Sequence, residues 1–284
     1  METKSMIRMI AFAGGVVAVC AAVSLAGIAR PRNPAEMPDV TYRWPVVTAP
    51  LMTQPPTMDG EVSRAEWTQA AMTAPLMLFT EGVQAPESAV VYVGYTADAL
   101  YLAFQFVRPP YALKPVSGDV PSSVWKDDCF EFFLRPDFGA SYEYSFVGNA
   151  AGVFCQGRRQ TVTDRNWKCD WTCKARLTDW GWEGEMAIPF KSLGRETPKP
   201  GEVWEFAPMS NRKTPGAQLA TWSFIRGWME RKDFGYLVFD GPAPAVRVLK
   251  AGSTSAAEIG AVIEIANFTD KPAEIAVRAE LYKP

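Results

Sequence analysis

Residues 88–107, SAVVYVGYTADALYLAFQFV, decide the fold. Two runs of β-branched and aromatic residues flank a short Thr-Ala-Asp stretch at 96–98. Such residues suit a pleated, half-buried surface, and two runs around a short turn spell a β-hairpin. Runs of the same kind follow: CFEFFLRP (129–136), YEYSFVGN (142–149), GVFCQGR (152–158), WTCKARLT (171–178), GWEGEMAIP (181–189), EVWEFAPMS (202–210), ATWSFI (220–225) and FGYLVFD (234–240). Turn residues punctuate them, as in PDFGAS, GNAAG and TDWG. Helical signals are few. SRAEWTQAA (63–71) carries Ser63 with Glu66 three residues on, the pattern of a capping box, and FKSLG (190–194) is at most a turn. Many short strands with regular turns predict an all-β fold, an antiparallel β-sandwich of jelly-roll type, over residues 56–241.

The flanks differ in character. Residues 31–55 are Pro-rich and aperiodic, a linker with one edge strand near Tyr42 to Val47. Beyond Pro242-Ala243-Pro244 the chain alternates cleanly without tryptophan, as in GAVIEIANFTDKPAEIAVRAELY (260–282). About three strands are too few to close a sandwich of ~7. Residues 242–284 are therefore expected to open a second β domain, or to pack as a tail on the first.

Residues 1–30 form a third type of segment. Lys4 and Arg8 precede a run from Met9 to Ala29 that carries no charge, and Arg30-Pro31 closes it. This is the pattern of a signal peptide, with small residues at Ser24 and Ala26 or at Gly27 and Ala29 for cleavage. The run is also long enough, at ~20 residues, for an N-terminal membrane anchor. Either reading exports the remainder, to a secreted, cell-surface or periplasmic location. In an oxidising compartment Cys129, Cys155, Cys169 and Cys173 make an even set, expected to form two disulfides. Of the three pairings, Cys155–Cys173 across a hairpin is preferred, leaving Cys129–Cys169.

Composition excludes several functions. The formal net charge is -2, and nothing points to nucleic acid. There is no histidine, which rules out Ser-His-Asp and Cys-His catalysis and any His-ligated zinc or haem. The chain has ten tryptophans, a surplus that suits flat apolar surfaces for a ligand.

Residues 124–136, VWKDDCFEFFLRP, hold the best candidate site. Alternation puts Phe130, Phe132 and Leu134 on the core face of a strand and Cys129, Glu131 and Phe133 on the other. Trp125 precedes the strand in a loop. An aromatic face beside an outward carboxylate suits a sugar, whose C–H face stacks on the ring while its hydroxyls donate to the acid. The plainer alternative is a Trp covering a core edge and a solvated Glu. A glycosidase would need a second carboxyl group ~5–9.5 Å away. Asp127, Asp128, Glu143 and Glu185 are available in sequence, but Glu183 and Glu185 share one face of a strand, as a solvated face commonly does.

Seven motifs, in order from Pro56 to Phe239, resemble family 9 carbohydrate-binding modules. They are MDGEVSRAEWTQA (58–70), VYVGYTADALYLAFQF (91–106), VWKDDCFEFFLRP, YEYSFVGNAAGV (142–153), GWEGEMAIPFKSLG (181–194), PGEVWEFAPMSNR (200–212) and TWSF with DFGYLVF (221–239). The resemblance implies a β-sandwich that binds sugars without cleaving them, supporting polysaccharide catabolism and working beside a glycoside hydrolase. It implies a clamp of two tryptophans, Trp125 and Trp222, with Glu131 on the sugar hydroxyls and Arg158 as a further contact. It needs no cofactor; the family's calcium is structural, with Asp59 a candidate position. The chain departs from the pattern in having no Asn just before Trp222 and a cysteine at 129 where serine is common. Two other functions are weighed against sugar binding: a structural or interaction sandwich of a cell-surface assembly, and a haem-binding redox domain, which the same fold also serves but for which no Met–Lys ligand pair stands out.

Overall fold

A computed structural model describes residues 5–11, 16–22, 44–79, 84–85, 89–107, 121–137, 141–160, 163–213, 217–223, 233–251 and 260–279. Nineteen strands are described, and two large sheets face each other. In chain order they are β1 (Ser5–Ala11), β2 (Val16–Ala22), β3 (Val46–Ala49), β4 (Ala71–Met72), β5 (Met77–Leu78), β6 (Ala89–Tyr95), β7 (Ala99–Val107), β8 (Cys129–Arg135), β9 (Glu143–Asn149) and β10 (Phe154–Arg159). There follow β11 (Thr163–Asp164), β12 (Thr172–Leu177), β13 (Gly181–Pro189), β14 (Val203–Arg212), β15 (Gln218–Thr221), β16 (Gly235–Phe239), β17 (Ala245–Ala251), β18 (Gly260–Ala266) and β19 (Ala273–Ala279).

The hairpin that opened the sequence reading is β6–β7, paired from Ala89↔Phe106 to Tyr95↔Leu100 and closed by the Thr96 N–H donating to the Ala99 carbonyl. It lies in an eight-stranded sheet of order β12-β13-β7-β6-β4-β17-β18-β2. The opposing nine-stranded sheet runs β11-β10-β9-β8-β14-β15-β5, with β16 pairing both β14 and β3. Alternation works as the period-2 pattern requires. Val91, Val93, Leu100, Leu102 and Phe104 from one sheet meet Phe130, Phe132, Phe146, Trp204 and Phe206 from the other in one core. The centre is aromatic: Phe104 and Phe130 have ring centroids 4.1 Å apart, and Phe106 stacks on Trp182 at 4.8 Å. The sandwich is thus as expected, though its sheets are mixed, since β16–β3 and β17–β4 are parallel pairs.

The flanking segments contribute strands of their own. The end of the Pro-rich linker is β3, whose Val47 and Ala49 are buried in the main core. Strand β17 joins the eight-stranded sheet beside β4 through Arg247↔Met72. The Arg247 guanidinium is buried; it donates to the carbonyls of Trp67, Thr68 and Ala70 and pairs with Glu264. Strands β17 and β18 accordingly continue the eight-stranded sheet. The described parts of the N-terminal apolar run are extended: β1 pairs with β19 and β2 with β18, both antiparallel. No helix among the described residues is long and apolar enough to cross a membrane.

Segment 58–70 covers the outer face of the eight-stranded sheet, packing Trp67 and Val62 against Tyr101 and Ala103. Ser63 and Glu66 make the expected capping contacts, the Glu66 N–H donating to Ser63 Oγ, but the segment stays a series of turns. What fixes it is Glu185. One carboxylate oxygen accepts from Trp67 Nε1 at 2.7 Å, the other from the backbone N–H groups of Gly60 at 3.0 Å and Asp59 at 3.2 Å. Gly60 has φ 95, a left-handed conformation that lets its amide reach the acid. The D-G, E-W and G-W-x-x-E motifs are therefore one hydrogen-bonded unit.

Candidate functional site

The outer face of the nine-stranded sheet holds the candidate site. On β8 the side chains of Cys129, Glu131 and Phe133 point here, as alternation predicts. This face is not solvated, however. Glu131 is only 4% exposed, flanked in the sheet by Val147 of β9 and Met209 of β14. Burial drives its carboxyl up to about 7, and the nearby Asn211 and Lys213 only partly oppose this. Cys129 lies next to it, its Sγ 4.0 Å from Glu131 Oε1, with its thiol pushed well up by burial.

Trp125 sits in a 3-10 turn, Pro121–Lys126, that packs over β8, β9 and β10. Buried Val124 anchors the turn against Cys129 and Val147, while the Trp125 ring stays half-buried. One residue ties the turn that carries Trp125 to the acid: Asn211 Nδ2 donates to the Trp125 backbone carbonyl at 3.3 Å and to Glu131 Oε1 at 3.4 Å. Two buried aspartates complete the floor. Asp127 accepts from Asn149 Nδ2 at 2.8 Å, and Asp128 accepts the backbone N–H of Lys213. Arg165, exposed on the β10–β11 side, lays its guanidinium 4.6 Å from the Trp125 ring centroid.

The structure brings Trp125 and Glu131 together and leaves the other expected contacts elsewhere. Trp222 is 3% exposed in the inter-sheet core, 5.8 Å from Phe206, and it fills the space beside Gly235. It is a core residue and not the second half of a clamp with Trp125. The reason is parity: Trp222 follows β15, whose Ala220 also faces the core. Arg158 is exposed on the opposite side of β10 from Cys155, level with Tyr144. Asp59 is exposed, its carboxylate accepts the Glu61 N–H at 2.8 Å, and no metal-binding group of acids, cysteines and histidines occurs among the described residues. Glu183 and Glu185 lie on the other sheet and are engaged structurally, Glu183 by Gln105 and Arg176 and Glu185 by the 58–70 segment. They cannot pair with Glu131 as a glycosidase requires.

The expected disulfides Cys155–Cys173 and Cys129–Cys169 are absent, and all four thiols are free. Cys129 and Cys155 lie on the outer face of the nine-stranded sheet, whereas Cys169 and Cys173 pack on the main core inside it. A sheet separates the partners of each expected pair. Burial raises the Cys155 and Cys169 thiols to about 11.

Sequence reading missed Asn211 and Arg165. Asn211 falls within a quoted motif, and its parity with Met209 on β14 puts it on the Glu131 face. Arg165 carries no local signal, because only the packing of two separate turns brings it to Trp125.

No family model matches the chain, and no curated protein does. Solved structures do. A family 9 carbohydrate-binding module from Caldicellulosiruptor kristjanssonii in complex with cellotriose superposes with a TM-score of 0.53 at 16% identity, over 69% of this chain and 94% of that one. The same organism's module in complex with glucose gives 0.52 at 15% identity, over 69% and 96%. A proposed carbohydrate-binding protein from Bacteroides uniformis gives 0.52 at 18% identity, over 69% and 99%. This chain therefore has the fold of family 9 carbohydrate-binding modules.

Proposed function

We propose that this protein is an exported, non-catalytic carbohydrate-binding protein that holds a polysaccharide or oligosaccharide at Trp125 and Glu131. The observation that carries the reading is the shared donor Asn211, whose side-chain amide holds the backbone of half-buried Trp125 beside the buried Glu131 carboxylate. The ring gives a stacking platform; the carboxylate and amide give hydrogen bonds that orient hydroxyls. Neighbours of the same fold that hold cellotriose and glucose support the ligand class. With Trp222 in the core, the platform has one described wall. The N-terminal apolar run supports export, by cleavage or anchoring, and export supports a role in gathering substrate for a glycoside hydrolase.

A glycan array on the full chain, followed by calorimetry on each hit, tests the reading. Binding that weakens about tenfold in Trp125→Ala while the variant stays folded is the expected result. No binding to any glycan by folded protein would overturn it in favour of a structural or interaction sandwich, a reading the burial of Trp222 favours.

A further inference from the structure

We infer that Arg165 makes the Trp125 site selective for acidic glycans, chains whose end sugar carries a carboxylate, over neutral ones; the inference rests on the carbohydrate reading of that site. The guanidinium lies over the ring that a sugar would use. Its place is built. The pairs Arg158↔Asp164 and Arg159↔Thr163 join β10 to β11, and the Asn166 N–H donates to Asp164 Oδ1 at 2.9 Å, fixing the turn that carries Arg165. Cys155, packed with Cys129 and Val147 on the outer face, feels the charges of both Arg165 and Glu131.

Arg165 differs from most arginines among the described residues. Arg64, Arg135, Arg159, Arg176, Arg195 and Arg247 each pair with a carboxylate. Among the described residues no carboxylate pairs with Arg165, so its fork of donors is uncommitted at the rim of the site. The acids nearest Trp125 do not neutralise it. Asp127 and Asp128 are buried and held by Asn149 and by the Lys213 backbone, and Glu131 is buried beneath.

The selectivity follows from what each ligand returns. To stack on the face that Arg165 covers, any sugar must displace the guanidinium and forfeit its attraction to the ring. A neutral sugar offers only stacking in exchange. An acidic sugar also offers a carboxylate, which the guanidinium grips with two parallel hydrogen bonds as it leaves the ring. The same residue thus favours one class and penalises the other.

The test is calorimetry on the full chain with trigalacturonate and with cellotriose, at low and high salt, for the parent, Arg165→Ala, Arg165→Lys and Trp125→Ala. The parent is expected to bind trigalacturonate about tenfold more tightly than cellotriose, as a charge-assisted bidentate contact allows, with the preference shrinking in salt. Arg165→Ala should erase the preference by weakening trigalacturonate while leaving or improving cellotriose; Arg165→Lys should restore it only in part. Equal or tighter binding of cellotriose by the parent, or equal weakening of both ligands in Arg165→Ala, overturns the inference. Cellotriose binding that depends on Trp125 without any acidic preference overturns the Arg165 inference alone. Binding of neither sugar, or binding that Trp125→Ala does not change, overturns the site reading together with it.

Discussion

Glu131 gives the protein a measurable pH signature. Its carboxyl sits at about 7 in the fold against 4.5 for an ordinary glutamate, chiefly because burial penalises the charge. Each unit of such a displacement is worth about 1.36 kcal/mol, so burying the ionised form costs about 3 kcal/mol of stability. The sign follows from proton binding. Between 4.5 and 7 the folded state holds a proton that the unfolded state has released, so stability falls as pH rises through this window. Below 4.5 both states are protonated and the cost is absent; above 7 it is complete. Glu131→Gln imitates the protonated acid in shape and removes the titration. Urea unfolding of parent and variant from pH 4.5 to pH 8 reads the effect, and taking their difference cancels the other buried acids. Cys129 does not interfere, because burial holds its thiol well above this range. The stability of Glu131→Gln relative to the parent should rise by about 3 kcal/mol from pH 4.5 to pH 8. A difference that stays flat across the range would refute the claim that Glu131 is desolvated.

Four further outcomes are expected. Glu185→Ala strips the acceptor from three donors and should cost about 3–5 kcal/mol in chemical denaturation, since hydrogen bonds to a charged group are worth about 1.5–3 kcal/mol each and are not additive; a loss below about 1 kcal/mol would dissolve the proposed link among the three motifs. Trp222→Ala should destabilise the fold by about 3–5 kcal/mol as a core truncation. Trp125→Ala should instead leave the melting temperature nearly unchanged and weaken glycan binding by about 1–2 kcal/mol, so the two variants separate core from site by calorimetry and thermal melts. Non-reducing peptide mapping should find neither Cys155–Cys173 nor Cys129–Cys169, and Cys129 should resist thiol reagents until the protein is unfolded.

The strands and their faces were legible because period-2 alternation is local. Phe130, Phe132 and Leu134 had to face one way and Glu131 the other, whatever the partner strands were. Burial of Glu131 was not legible, because it depends on Val147, Met209 and the 3-10 turn, which come from three other elements. Trp222 misled for a related reason. A motif fixes the order of residues, but one residue of parity at the end of β15 decides between core and surface. The disulfide expectation counted cysteines without knowing which sheet each would occupy. Parity placed Asn211 on one face of its strand, but its partners, like that of Arg165, lie 40 or more positions away in the chain, at Trp125 or Glu131.

The segment at 58–70 waits on partners synthesised much later. Gly60 and Trp67 are fastened by Glu185, 125 and 118 residues on, and the carbonyls of Trp67 and Ala70 by Arg247, 180 and 177 residues on. A chain emerging from the ribosome cannot secure this early stretch until the strands that carry Glu185 and Arg247 are out. Contacts of such span make folding slow, because the loop must be closed before any contact rewards it. Trp67 is thus a natural reporter of the final step of folding: its fluorescence should settle last, after the β6–β7 hairpin has long been made.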